Sequence, residues 1–201
     1  MEIYTIKKHY HYAKRNGKRI GVFPEFEGNR MGYFFRFEKG LEYDLDDPVQ
    51  QLDWNKLPGL TGCSVLHHYS SCRGGWRWNL ETGKGELLAY IYDKGERLKE
   101  WDYPELLLRK DLEPKRWYGY MAIAEKDRWK IMYCDVKDPY REEVPTREDI
   151  VDPMSISIPR ESCGPNIPVR FRLNPYHGGN LPAKEDVELW VEYIKGGYDF
   201  D

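Results

Sequence analysis

Apolar and polar positions alternate with a period of two along much of this chain, and that period predicts strands. The segments "MGYFFRF" (31–37), "GWRWN" (75–79), "ELLAYIY" (86–92), "WYGYMAIA" (117–124), "RWKIMYC" (128–134), "VRFRL" (169–173) and "VELWVEYI" (187–194) all carry it. The turn residues of "LETGKG" (80–85) and "EKD" (125–127) predict two hairpins. One helix is expected, in "YPELLLRKDL" (103–112), with Pro near its first turn; the same residues also fit a strand followed by a turn. The charged stretch 138–153 holds three Pro and no apolar period, and reads as a long surface loop, of the kind that is functional or mobile. Many short strands and little helix predict an all-β fold, an antiparallel β-sandwich with at most one or two short helices, in a single domain over 1–201.

Alternation also sorts side chains by face. Trp76 and Trp78 share one face of their strand, with Gly75 and Arg77 on the other. On the next strand Leu87, Ala89 and Ile91 form a small aliphatic set that suits the interior, leaving Leu88, Tyr90 and Tyr92 toward a partly wet surface. The reverse assignment, with the Tyr side chains inside, stays open.

Composition narrows the function classes. A net charge of -3 and a pI of about 6.0 give no global basic footprint, which argues against nucleic acid as the partner. The basic run Lys7–Arg19 and the acidic run Glu42–Asp47 read as solvated loops or edge strands. Aromatic residues make up 15% of the chain, enough to furnish stacking platforms as well as strands. No apolar run approaches the ~18 residues of a membrane span, and the N-terminus lacks the layout of a signal peptide. The expected location is the cytoplasm, with no membrane contact. Cys63, Cys72, Cys134 and Cys163 are irregularly spaced, as for free thiols.

Chemistry concentrates in "TGCSVLHHYSSCRGGWRWN", Thr61 to Asn79. Cys63, His67, His68 and Cys72 are all zinc-competent. On a strand, however, adjacent His point to opposite faces, so the spacing is poor and no metal or other cofactor is assigned. A Cys63–Cys72 disulfide would need a strand–turn–strand closing within about 7 Å. A catalytic reading takes His67 or His68 as base, Arg73 as the group neutralising a carboxylate, and Tyr90 or Tyr92 as acid. A binding reading uses Trp76, Trp78, Tyr90 and Tyr92 as flat faces, with Arg73, His67 and His68 as donors to a small-molecule or glycan ligand. Against both stands the plain alternative that the two Trp are core.

The segments "LDWNKLPGL", "HHYSSCRGGWRWN", "ELLAYIYDKGER" and "LNPYHGGNLPAKEDVELWVE" resemble, in that order, a family of uncharacterised bacterial and phage proteins. The resemblance covers about a third of the chain. It rests on Asn55, Lys56, Leu57 and Gly59, on His67 and His68, on Ser71, Arg73, Gly75 and Trp76, on Tyr90 and Tyr92, and on Pro175, Tyr176, Gly178, Gly179 and Asn180. The closing turn and strand also resemble concanavalin-like jelly rolls, which implies a jelly-roll sandwich and a lectin-like or glycan-processing lineage. His177 departs from that pattern, which has Phe there, and is expected to be an exposed bystander. Cys63 and Cys72 lie outside the pattern. The paired acidic residues of jelly-roll glycoside hydrolases and the basic-aromatic signatures of alginate lyases are missing. The leading expectation is a lectin-like module for a carbohydrate or nucleotide-like ligand. The alternatives are an enzyme on the same scaffold, either a polysaccharide lyase or a hydrolase of a phosphorylated or nucleotide substrate, and a phage structural or host-interaction protein. Oligomeric state is left open.

Overall fold

The structure is a computed structural model and describes residues 1–19, 26–62, 66–160 and 170–194. In chain order its elements are β1 (Glu2–Ile6), β2 (Ala13–Arg15), β3 (Lys18–Arg19), β4 (Phe26–Glu27), β5 (Arg30–Lys39), the short helix α1 (Pro48–Gln51), β6 (Asn55–Thr61), β7 (Ser71–Asn79) and β8 (Lys84–Asp93). They continue with β9 (Glu96–Arg97), β10 (Leu107–Leu112), β11 (Tyr118–Ala124), β12 (Arg128–Val136), β13 (Ile150–Pro159), β14 (Arg170–Leu173) and β15 (Val187–Tyr193). Single 3₁₀ turns occupy Pro104–Leu106 and Arg147–Asp149. The fold is all-β and antiparallel, in two sheets. The larger runs β13-β12-β11-β5-β15-β1-β2-β3, the smaller β10-β8-β7-β6-β14-β4, with β9 paired to β8.

Every period-two segment is a strand, although Val169 lies outside the described residues. Both predicted hairpins form, β7 to β8 and β11 to β12. The exceptions have local causes. The expected helix at 103–112 is a 3₁₀ turn followed by β10, an edge strand. The 138–153 loop ends at Asp149, and β13 begins at Ile150. Pro153 and Pro159 hide that strand in the sequence, yet on an edge a residue without an N–H loses no ladder bond. Strand β6 carries Pro58 and Gly59 in a bulge, marked by the register shift between Lys56 and Gly59.

The interior lies between the sheets. Tyr33, Phe35, Phe37, Tyr118, Tyr120, Leu189 and Val191 of the larger sheet face Leu57, Leu60, Cys72, Trp76, Leu87, Ala89 and Ile91 of the smaller. Trp76 is 1% exposed and packs on Phe37 at a ring separation of 4.8 Å, joining the layers. The basic run Lys7–Arg19 forms part of the larger sheet's edge through β2 and β3.

Around Arg36 and Trp117 the outer face of the larger sheet is covered by the charged segment before β13. Arg36 is buried between Trp117 and Trp190, its Cζ 5.9 and 5.2 Å from their ring centres. It pairs with Glu38 and donates to the Arg141 carbonyl at 2.7 Å. Trp117 Nε1 donates to the same carbonyl at 3.2 Å. Arg141 is in turn held by Asp149, whose carboxylate also accepts from the Thr146 backbone N–H at 2.7 Å. This segment is a structural cover for Arg36. Glu142, which also reaches Arg36, is 77% exposed; Glu142→Ala should therefore cost under about 1 kcal/mol in denaturant unfolding.

Candidate functional site

Pairing of β7 with β8 sets the faces. Cys72 opposes Ile91, Gly74 opposes Ala89, Trp76 opposes Leu87 and Trp78 opposes Gly85, all toward the interior. Arg73 opposes Tyr90, and Ser71 opposes Tyr92, on the sheet's other face, where Arg73, Ser71 and Tyr90 are buried as well. The seven expected ligand-binding residues therefore do not share a surface. Trp76 is core, and Trp78 is half-buried on the same interior side. Neither stands beside Tyr90 and Tyr92, because directly opposed residues share a face and Trp76 is opposed to Leu87.

What remains outward is a line of rings. His67 and His68 lie on the turn before β7, not on a strand, with ring centres 4.1 Å apart. His68 meets Tyr92 edge-on at 5.1 Å, and Tyr92 meets Tyr90 at 5.8 Å. His68 is exposed, Tyr92 half-buried and Tyr90 buried at 8%. Burial, and then the neighbouring Tyr92, hold the Tyr90 hydroxyl well above the ordinary tyrosine range, so it stays protonated.

Two residues outside the sequence expectation complete the site. Lys56, directly opposed to Gly75, lays its Nζ 4.9 Å from the centre of the Tyr90 ring. Arg97 of β9 approaches the same ring at 5.0 Å. Both contacts are of cation–π type. Lys56 also sits 5.7 Å from the ring of Tyr176, which meets Tyr12 at 5.3 Å and His11 at 5.4 Å. The Tyr176 turn is docked on β6 by two backbone bonds with Lys56, of 2.8 and 3.0 Å. Gly178 is required there, since a Cβ would stand 2.1 Å from the Trp54 carbonyl oxygen.

Arg73 is 7% exposed. Its Nε donates to the Leu57 carbonyl at 3.1 Å, and its other end reaches the carbonyl of Asn174. No carboxylate pairs with it among the described residues. Burial lowers its pKa to about 10, which leaves it charged at neutral pH. Lys56 is lowered to about 8, first by burial and then by the Arg73 guanidinium.

Other readings of the busy window meet the same geometry. Cys72 faces the interior as a free thiol 3.6 Å from the Tyr120 hydroxyl, on the opposite side of the sheet from His68. Cys63 lies outside the described residues. His177 is not an exposed bystander: it is 2% exposed, among the rings of Tyr43, His11 and Trp76. Trp54, which is 1% exposed, and Arg77 are already engaged with each other. The guanidinium stacks on the indole at 4.3 Å and bonds Glu86 at 2.7 Å, and Trp54 Nε1 donates to Glu100 at 3.0 Å. An open groove of about 350 Å³ between β10 and β12–β13 lies apart from this face, and its Arg109 already bonds Asp111 and Asp135.

No family model matches the chain. A curated relative, the LPS-assembly protein LptD of Alkalilimnicola ehrlichii, is 26% identical over 124 residues, or 62% of this chain. The chain spans only 16% of that protein's length. Among solved structures, an uncharacterized protein from Mycobacterium paratuberculosis aligns with a TM-score of 0.45 at 8% identity, covering 96% of this chain and 80% of that one. Neither likeness assigns a family or an activity.

Proposed function

We propose that the outward face of the smaller sheet is a ligand-binding surface, and that the protein is a lectin-like module for a carbohydrate or nucleotide-like small molecule. The observation that carries this reading is the line His68–Tyr92–Tyr90, with Lys56 and Arg97 both against the Tyr90 ring. Aromatic rims offer flat apolar area to a sugar or base, while cations and imidazoles bond its polar edge. We assign the sandwich to the concanavalin-like jelly-roll type. In support, strands distant in sequence lie side by side, β5 between β11 and β15 and β6 beside β14.

The test is a glycan array followed by calorimetry with the hits and with cyclic and linear nucleotides. Tyr92→Ala and His68→Ala alter accessible rings and should each weaken binding about tenfold. Saturable binding that both variants leave unchanged would remove this face from consideration.

A further inference from the structure

Charge on this face is out of balance. Lys56, Arg73 and Arg97 gather around Tyr90, from β6, β7 and β9. Among the described residues, two carboxylates oppose them. Glu100 is committed to Arg97 and to the Trp54 indole. Asp53 acts on Lys56 only through the field, without an ion pair. Three cations thus face two anions. The most enclosed of them, Arg73, is bonded only to backbone carbonyls among the described residues. A desolvated cation without an anion is costly, and an incoming anion recovers that cost.

Lys56 has an arrangement suited to such a ligand. It is half-buried, flanked by the rings of Tyr90 and Tyr176, and bordered by Gly178, where a Cβ would stand 2.5 Å from Nζ. The backbone of Gly178 thus approaches the ammonium so closely that no side chain fits between them. Arg97, on the other contact to Tyr90, spends Nε on the Leu98 carbonyl and Nη2 on Glu100, which leaves Nη1 to donate to an anion.

We propose that the ligand of this face is acidic, and that its carboxylate or phosphate is held between Lys56 and Arg97 beside Tyr90, in the field of Arg73. This rests on the reading of the face as a binding surface and adds the chemical class of what it binds. A uronic-acid saccharide and a phosphorylated sugar or nucleotide share this chemistry. A polymer of nucleic acid is disfavoured by the net charge of -3.

The inference carries a proton signature. Burial, Arg73 and Arg97 lower the Lys56 ammonium to about 8, against Asp53; Tyr90 and Tyr176 face it as neutral rings, and His177 lies near. A bound anion favours the charged form. Binding at pH 8.5 should therefore take up protons, and affinity should fall by up to about tenfold from pH 7 to pH 9.

The experiment is calorimetry of the full chain with glucuronate and galacturonate oligosaccharides, sugar phosphates, nucleoside monophosphates, the neutral counterpart sugars, and a single-stranded oligonucleotide. It is run in two buffers of different ionisation enthalpy. Saturable binding of a uronate or a phosphate, weakened roughly 10- to 100-fold by Lys56→Gln and by Arg97→Gln separately, with proton uptake that Lys56→Gln abolishes, supports the proposal. Which arm binds identifies the anion. Neutral sugars bound as well as acidic ones, sensitive to Tyr92→Ala but not to Lys56→Gln or Arg97→Gln, overturn the acidic ligand and leave the binding surface standing. Binding to the oligonucleotide alone overturns the proposal, and so does an absence of binding in every arm, which removes the surface as well.

Discussion

Replacing Trp76 by Ala is expected to lower the unfolding free energy by about 3–5 kcal/mol, the range for truncating a large buried aromatic. For a chain of this length that corresponds to a fall in Tm of about 10 °C. The indole is 1% exposed and fills the gap between Phe37 of the larger sheet and Leu87 of its own, with Tyr43 edge-on at 5.5 Å. Removing it leaves a cavity that two hydrogen-bonded sheets cannot close. Trp78 is only half-buried, so Trp78→Ala should cost less than half as much. Thermal melts of both variants decide this. A Trp76→Ala protein melting within 2 °C or so of the parent would mean that the indole does not join the layers.

Acid is expected to destabilise the protein through His177. The imidazole is enclosed by Tyr43, Trp76 and His11, and its Nδ1 has no hydrogen-bond partner among the described residues. Burial, followed by the nearby His11, lowers its pKa from 6.5 to about 4. The unfolded chain therefore binds a proton between pH 6.5 and 4 that the folded chain refuses. Stability from this group is complete above pH 6.5 and is lost as pH falls toward 4, to the extent of about 3 kcal/mol. His177→Phe removes the titrating group and keeps an aromatic ring in the space, so its stability should be nearly flat over that window. Urea midpoints at pH 7, 5.5 and 4.5 give the comparison. Equal slopes for parent and variant would show that His177 is not the acid-sensitive group.

Most of the architecture was legible because period-two segments lie where strands need them, and because both hairpin turns are short. The same alternation places Tyr90 and Tyr92 on one face, opposite Leu87, Ala89 and Ile91, and pairing sets Arg73 beside Tyr90. Their mistaken grouping with Trp76 and Trp78 had a remedy in the sequence. The four-residue link 80–83 pairs Asn79 with Lys84, and counting back opposes Trp76 to Leu87, one of the aliphatic set assigned to the interior. Lys56 and Arg97 were beyond such counting. The strand carrying Lys56 is disguised by Pro58 and Gly59, and Arg97 reaches Tyr90 from a two-residue strand. A site assembled from three non-adjacent segments leaves no spacing to read. His177 was misjudged because a Gly-rich turn usually sits in water; here Asn55 accepts from the Gly178 N–H at 2.7 Å and draws the turn down onto the sheet.

The irregularity at Leu57–Gly59 links the proposed ligand face to the interior. Arg73 donates to the Leu57 carbonyl from outside, while the Tyr33 hydroxyl crosses from the opposite layer to donate to the Pro58 carbonyl at 2.8 Å. Two consecutive residues are thus gripped from two sides. In the proposed complex, a guanidinium drawn toward the ligand would pull on the same short piece of chain that orients Tyr33 against Tyr120 and Tyr193. If the proposed ligand occupies the outer surface, its binding should register without a label in the near-ultraviolet dichroism of that tilted tyrosine group.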